Sequence, residues 1–335
     1  MDEPLLSETF VLPDIHDAAF EDRVRAALER DYLPLVARKA EFVDAPCPAC
    51  LSARREPAFD CKGFQYSRCL GCKTLYMYPC PSEPLILWFL SYSEALRMWR
   101  EEMPPATLTS RQRMYRERVQ YVWQSLERLD VKAESLVEIG AGGGQFARLL
   151  IDEGRLRRVI LVEPQPLELR LPGVEVIGGG FSSVKLDEPV DVLVAFEVLE
   201  HLVDPGLFLG MVRRCVVPGG VVILTTPNAK GYEVEVLRER SSSVPFDHVR
   251  LYNPESLELL LRRYGLEAVE ITTPGRLDVQ MVRREYQKGG LDLSARPALE
   301  VLMRPEAEGL RAELQRLLVA RRQSSHMRCI ARRPA

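Results

Sequence analysis

Residues 136–145 read Leu-Val-Glu-Ile-Gly-Ala-Gly-Gly-Gly-Gln, and no other stretch limits the fold as strongly. The run 136–139, apolar but for Glu138, has the character of a buried strand. Gly140, Gly142 and Gly144 permit a tight turn and close approach of a ligand, and a helix starting near Phe146 would aim its free N–H groups, which favour a carboxylate, at the same place. A strand that enters a helix through a glycine turn opens a βαβ unit, which calls for a largely parallel sheet covered on both faces. Strand-like runs of the same kind recur at Leu136–Ile139, Val159–Val162, Val174–Val176, Val192–Ala195, Val221–Thr225, Glu267–Ile271 and Met327–Ala331. An α/β fold with seven strands is the expectation.

A second feature lies upstream. Six of the eight cysteines fall between Cys47 and Cys80, and Cys47-Pro-Ala-Cys50 and Cys69-Leu-Gly-Cys72 are two CxxC pairs with 18 residues between them. That spacing lets four thiolates close on one tetrahedral zinc ion. Four thiolates leave no open position, so the zinc is structural, and a segment too short for its own core takes its folding free energy from the metal. Gly71 suits the tight second turn, and the sequence leaves open whether Cys61 or Cys80 replaces a ligand. Cys215 and Cys329, isolated in apolar segments, read as packing residues.

The N-terminal stretch MDEPLLSETFVLPDIHD is acidic and lacks the basic start and apolar run of a signal peptide; the run Leu85–Leu90 is too short for a bilayer. A cytoplasmic protein without membrane insertion is expected, a setting in which clustered cysteines bind metal rather than form disulfides. With 28% charged residues and a net charge of -3, the 335-residue chain has no global field for nucleic acid, so a small-molecule partner is expected. The division read from composition is a helical leader 1–45, a zinc module 46–82, a helical linker or lid 83–132, and a main domain 133–335. The last contains a helical insertion at about 275–323, with Ala298–Arg321 as its charged helical segment. The oligomeric state is not legible.

Glu138 sharpens the glycine turn. A dinucleotide-binding strand carries an apolar residue there, whereas here an acid precedes the glycines and a second acid, Glu163, ends the next strand where it can accept from both ribose hydroxyls. With acid-x-Gly-x-Gly-x-Gly followed by a strand ending in an acid, the chain resembles the class I S-adenosylmethionine-dependent methyltransferases. The resemblance continues through Asp191-Val-Leu-Val-Ala-Phe-Glu-Val-Leu-Glu-His201 and Pro218-Gly-Gly-Val-Val-Ile-Leu-Thr-Thr-Pro-Asn228. It implies a Rossmann-like seven-stranded sheet, here with an N-terminal four-cysteine module and helical linker, and S-adenosylmethionine as methyl donor. Carried onto this chain, Glu138, Gly140, Ala141, Gly142 and Gly144 hold the methionine part, Glu163 the ribose, and the segment about Gly180–Ser182 with Phe181 the adenine; Phe196 lies nearby. Zinc knuckles ahead of such a domain also resemble bacterial sugar and surface-glycan-cluster methyltransferases, as does the closing Ser324-Ser-His-Met327 run, which implies a sugar-like acceptor.

Acceptor chemistry should sit after the fourth and fifth strands. If the segment is helical, Glu197, Glu200 and His201 share one face through their i, i+3, i+4 spacing, and His248 lies in Phe246-Asp-His-Val-Arg. These four are the candidate catalytic residues, with a histidine as general base. Glu-x-x-Glu-His also resembles ubiquinone-pathway O-methyltransferases and small-RNA terminal 2′-O-methyltransferases, which implies that Glu197, Glu200, His201 and His248 hold a divalent cation, magnesium or manganese. A catechol-like acceptor is the alternative that follows. A further alternative is an RNA or protein partner recognised by the knuckles and Arg54, Arg55 and Arg68. Asn228 and Tyr252 are secondary polar candidates, and Arg111 and Tyr115 are candidates to reach the donor carboxylate. The arginines 304, 311, 316, 321 and 322 are candidates for a phosphate, set against a solvated helix face.

Overall fold

A computed structural model describes residues 18–164 and 173–335; the acidic stretch 1–17 that argued against a signal peptide lies outside the described residues. Helix α1 (Ala18–Ala37) is followed by three short strands, β1 (Arg55–Cys61), β2 (Phe64–Cys69) and β3 (Leu75–Met77). The helical period over 82–129 becomes α2 (Glu83–Tyr92), α3 (Glu94–Glu101) and α4 (Pro105–Arg128). Ser93 separates the first two by capping α3, and Pro104–Pro105 starts the third.

The larger half then runs β4 (Ser135–Ile139), α5 (Gln145–Asp152), β5 (Arg158–Glu163), β6 (Val174–Gly178), β7 (Val190–Phe196), α6 (Pro205–Cys215), β8 (Val216–Pro227) and α7 (Tyr232–Leu237). It closes with β9 (Arg250–Leu251), α8 (Pro254–Arg263), β10 (Glu267–Thr272), α9 (Asp278–Gln287), α10 (Pro297–Met303), α11 (Glu308–Ala320) and β11 (His326–Arg332). All seven expected strands form one sheet, in the order β10-β11-β8-β7-β4-β5-β6. The expected helix over Ala298–Arg321 is instead two helices, because the turn at Pro305–Ala307 interrupts it.

Alternation along the strands builds two cores. Leu136, Val192, Val194, Phe196, Val221 and Ile223 face α4 and α5, whereas Val137, Ile139, Leu193, Ala195, Val222 and Leu224 face α6 and α8. Glu138 is in step with Leu136 and therefore lies on the α4 side. β11 runs antiparallel between β8 and β10, so its first residue, His326, pairs with Pro227 at the carboxyl end of β8. The start of the last strand thus reaches the edge of the sheet where open α/β folds bind ligands.

The zinc-side sheet is β1-β2-β3-β9, and β9 comes from the larger half. Leu75 pairs with Leu251 and Tyr76 with Arg250. Beneath this sheet Tyr32 of α1, Phe64, Phe89 and Phe246 share one aromatic cluster, with Phe246 4.6 Å from the Phe64 ring and 5.1 Å from the Phe89 ring. The residue next to Asp247 and His248 is therefore anchored by the N-terminal third of the chain. Among the described residues, no helix is long and apolar enough to cross a membrane.

Candidate active site

The glycine turn forms as its composition predicts. Gly140, Gly142 and Gly144 all have positive φ (75°, 53° and 69°), and Gly144 begins α5 without a side-chain cap, which leaves the first N–H groups to a ligand. A Cβ on Gly140 would lie 2.6 Å from Val198 Cγ2, whereas one on Gly142 would meet nothing within 4 Å. The first position thus needs glycine for packing as well as for φ, and the second faces open space.

Glu163 closes the turn from the next strand: its Oε2 accepts from the Gly142 N–H at 2.7 Å. Gly179 N–H donates to the Glu163 carbonyl at 3.1 Å, which draws the turn containing Phe181 beside that acid. Phe181 sits edge-on against Phe208, at 5.6 Å and 87°. Ala141 is buried behind the loop, its N–H donating to Val162 O at 3.2 Å. Glu138 is buried and its Oε2 has no hydrogen-bond partner. Burial pushes its pKa up to about 8, opposed by the Arg118 charge. Arg118, on α4, lies 4.8 Å above the Phe196 ring, which packs edge-on against Phe146. Arg111 lies 5.1 Å over the Trp99 ring and Arg118 also lies 5.6 Å over the Tyr115 ring; Arg118, which had no signal in the sequence, is the cation that acts on Glu138.

The expected helical face of Glu197, Glu200 and His201 does not form. Glu197 has φ +56°, and only Leu199–His201 makes a single 3-10 turn before Asp204 caps α6. The four candidates divide accordingly. Glu200, His201 and His248 bring one ligand atom each within 4.8 Å of one another, and that group excludes Glu197. Glu197 Oε1 accepts from Thr225 Oγ1 at 2.6 Å and lies 3.5 Å from His326 Nδ1.

Both histidines of the triad are oriented through Nδ1. His201 Nδ1 is 3.0 Å from Asp247 O and 3.3 Å from its Oδ2, and His248 Nδ1 is 3.0 Å from Ser243 O. A carbonyl only accepts, so Nδ1 carries the proton in each ring. Burial works against a charged His201, but Asp247 outweighs it and raises the imidazole to about 9; His201 in turn draws Asp247 down to about 2 against that acid's own burial. Burial and the His201 charge drive His248 down to about 4. Burial and the neighbouring Glu197 charge push Glu200 up to about 8; its Oε2 accepts from Thr226 Oγ1 at 2.9 Å and its Oε1 has no hydrogen-bond partner. Of the secondary candidates, Asn228 is buried, its side chain donating to Arg322 O and Ser324 O, and Tyr252 is buried in the core.

Residues 108–271 match a family model described as a methyltransferase domain. A probable S-adenosylmethionine-dependent methyltransferase of Mycolicibacterium smegmatis is 30% identical over 185 residues, which span 53% of this chain and 69% of that protein. The chain belongs to the S-adenosylmethionine-dependent methyltransferases. A ubiquinone biosynthesis O-methyltransferase of Saccharophagus degradans is 25% identical to the methyltransferase over 50% of this chain and 77% of its own length. Among solved structures, the 1,6-didemethyltoxoflavin-N1-methyltransferase of Burkholderia thailandensis is similar at 12% identity and a TM-score of 0.49, covering 84% of this chain and all of that one.

The methyltransferase also carries the expected four-cysteine cluster. Cys47, Cys50, Cys69 and Cys72 place their sulfurs within 4.8 Å of one another, with Cys47–Cys72 and Cys50–Cys69 each at 3.4 Å, a set that fits one zinc ion. Without a metal, the contact between Cys47 and Cys72 draws the Cys72 thiol down and pushes Cys47 up, so the two share one proton. Leu51 and Lys73, each with φ 62°, supply the left-handed turn after each pair, donating to Cys47 O and Cys69 O. Gly71 does not supply it: a Cβ there would lie at 3.7 Å from two sulfurs, an ordinary contact. Cys61 and Cys80 stand apart; Cys61 donates toward Glu239 O and Val244 O. In the basic patch, Arg68 is paired with Glu235 at 2.9 Å and Arg55 is stacked on Tyr78. Arg311 is buried and donates to the carbonyls of Leu302, Arg304 and Pro305, so it belongs to neither a phosphate site nor a solvated face.

Proposed function

We propose that the methyltransferase moves the methyl group of S-adenosylmethionine to a hydroxyl oxygen of a small molecule, with a sugar as the preferred acceptor. In this reading Glu138 and the turn 140–144 receive the methionine part, Arg118 its carboxylate, Glu163 the ribose, and Phe181 the adenine. The unpartnered, buried Glu138 Oε2 supports this, because a donor hydrogen-bonding there would relieve an otherwise costly group.

The observation that carries the hydroxyl acceptor is the convergence of Glu200, His201 and His248. Each histidine gives its Nδ1 proton to a main-chain or carboxylate oxygen and points Nε2 elsewhere, as metal-binding histidines do, and Glu200 Oε1 lacks a protein partner. The set fits a divalent cation, which when bound would lower the pKa of a hydroxyl it touches. With Glu197 outside the group, two imidazoles meet one carboxylate, a donor set that favours manganese over magnesium. His201, charged beside Asp247 in the absence of a cation, is a poor proton acceptor.

A sugar presenting neighbouring hydroxyls suits such a site, and the resemblance to glycan-cluster enzymes supports it. The zinc module serves as scaffold in this reading. The test is methyl transfer from isotope-labelled donor to a panel of nucleotide sugars, catechol and RNA, before and after divalent-cation removal with zinc content monitored. Label should enter a sugar, vanish on cation removal and return with manganese. Labelling of catechol alone would replace the sugar, and labelling of RNA would overturn the small-molecule reading.

A further inference from the structure

The family match ends at residue 271, yet a histidine beyond it stands at the reactive edge of the sheet. His326 Nδ1 lies 3.5 Å from Glu197 Oε1, which Thr225 Oγ1 also holds at 2.6 Å. Glu197 keeps this position with a strained, positive φ.

The backbone just before His326 is fixed by a closed network. Asp278, buried at the start of α9, accepts from Ser324 Oγ at 2.5 Å, Ser325 N at 2.6 Å and Gln315 Nε2 at 2.8 Å. Asn228 donates to Ser324 O at 2.9 Å, and its own N–H donates to Ser325 O at 2.8 Å. The fit allows no slack: a Cβ on Gly275 would lie 1.8 Å from Ser324 Oγ, and one on Gly231 2.3 Å from Ser325 Cα. Ser324 and Met327 are buried, whereas the side chain of His326, between them in the chain, keeps 37% of its surface open. Glu197 follows β7 and His326 opens β11 opposite Pro227 at the end of β8, so the pair stands at the carboxyl edge of the sheet.

We propose that His326, oriented by Glu197, is the proton acceptor for the hydroxyl that is methylated; this rests on the O-methyl transfer reading above. Nδ1, facing the carboxylate, carries the proton, and Nε2 offers the lone pair. As the hydroxyl oxygen forms its bond to the methyl carbon, its proton passes to His326 Nε2. The methyl–sulfur bond breaks with its electron pair going to sulfur, giving S-adenosylhomocysteine and the methyl ether. The imidazolium then releases its proton to water. Glu197 acts as the positioning residue.

The test compares catechol with 4-nitrocatechol, whose far more acidic hydroxyl needs little help to ionise. His326→Gln should slow methylation of catechol by about 100-fold or more but that of 4-nitrocatechol by less than about threefold, with S-adenosylhomocysteine affinity and melting temperature unchanged. Equal losses on both phenols, or none on either, would overturn the proposal. A readout independent of turnover is the ring-nitrogen NMR signal of His326 in the S-adenosylhomocysteine complex. It should move when catechol or methyl α-glucoside is added and when Glu197→Gln is introduced; a signal that stays put for both ligands also overturns it. Glu200→Gln separates the two readings. Loss of activity in that variant with His326→Gln fully active sinks only the present inference, and the reverse pattern sinks only the cation site.

Discussion

The two halves of the proposed site are built by opposite means. The proposed donor half is mostly main chain: one continuous strand, turn and helix from 135 to 152, closed by an acid 21 residues beyond Gly142. The proposed acceptor half is all side chains, drawn from the 3-10 turn at 199–201, the loop at 246–248, the end of β7 and the start of β11. The N-terminal third holds that loop in place, since Phe246 is packed among Tyr32, Phe64 and Phe89, and Tyr66 donates to the carbonyls of Pro245 and His248 at 3.0 and 3.1 Å. A continuous segment can be rigid on its own account, whereas a composite one needs external support. The zinc-side sheet, with α1 and α2 packed on it, supplies it.

The hardest blow to that contrast is removal of a zinc ligand. Cys69→Ser should release the metal, remove folding free energy on the order of 10 kcal/mol from the module and abolish methyl transfer, while S-adenosylhomocysteine still binds within about tenfold. Metal analysis, calorimetry and protease mapping of 44–80 would read this out, and joint loss of donor binding would show that the halves are not separable. Gly140→Val attacks the other half. A side chain forced against Val198 at a positive-φ position should weaken the donor complex by about 100-fold or more, and an unchanged affinity would remove the turn from the donor site.

Glu138→Gln sharpens the electrostatics. In the ligand-free protein Glu138 stays neutral to about pH 8, whereas the unfolded chain ionises near the ordinary 4.5. Stability is therefore lost as pH climbs from 4.5 toward 8. The glutamine variant should melt above wild type at pH 8, with the gap closing toward pH 4.5, and should bind donor more weakly; a pH-independent gap would contradict a buried, neutral acid. The smallest effect is expected for Tyr66→Phe, a loss of about 1 kcal/mol in denaturant unfolding. Acceptor turnover should fall severalfold with donor affinity constant, and a fall in donor affinity instead would misplace the support.

Legibility follows the same division. The seven strands, the glycine turn and the four ligating cysteines are local patterns, and each was readable because the residues that cooperate are close in sequence. The zinc-side strands were not, since β1 is half exposed and β9 has two residues. Glu197 misled because its spacing to Glu200 and His201 fits a helix, but its left-handed backbone turns it away from them, toward Thr225 and His326. Asp247 stood beside a named histidine, and only the fold shows that it serves the other one, His201. Arg118 and Asp278 had no local signal; their roles arise from packing across α4 and α9.

The loan of β9 to the zinc-side sheet has a consequence for recombination. Asn253, just after that strand, also donates to Cys72 O at 2.9 Å, and Arg263 donates to Pro48 O and Ala49 O. A chimera joined anywhere in the helical stretch after Pro81 would strand one edge of the small sheet and leave these donors facing a foreign surface. Exchange of the knuckles between relatives should therefore succeed only when residues 250–263 travel with them.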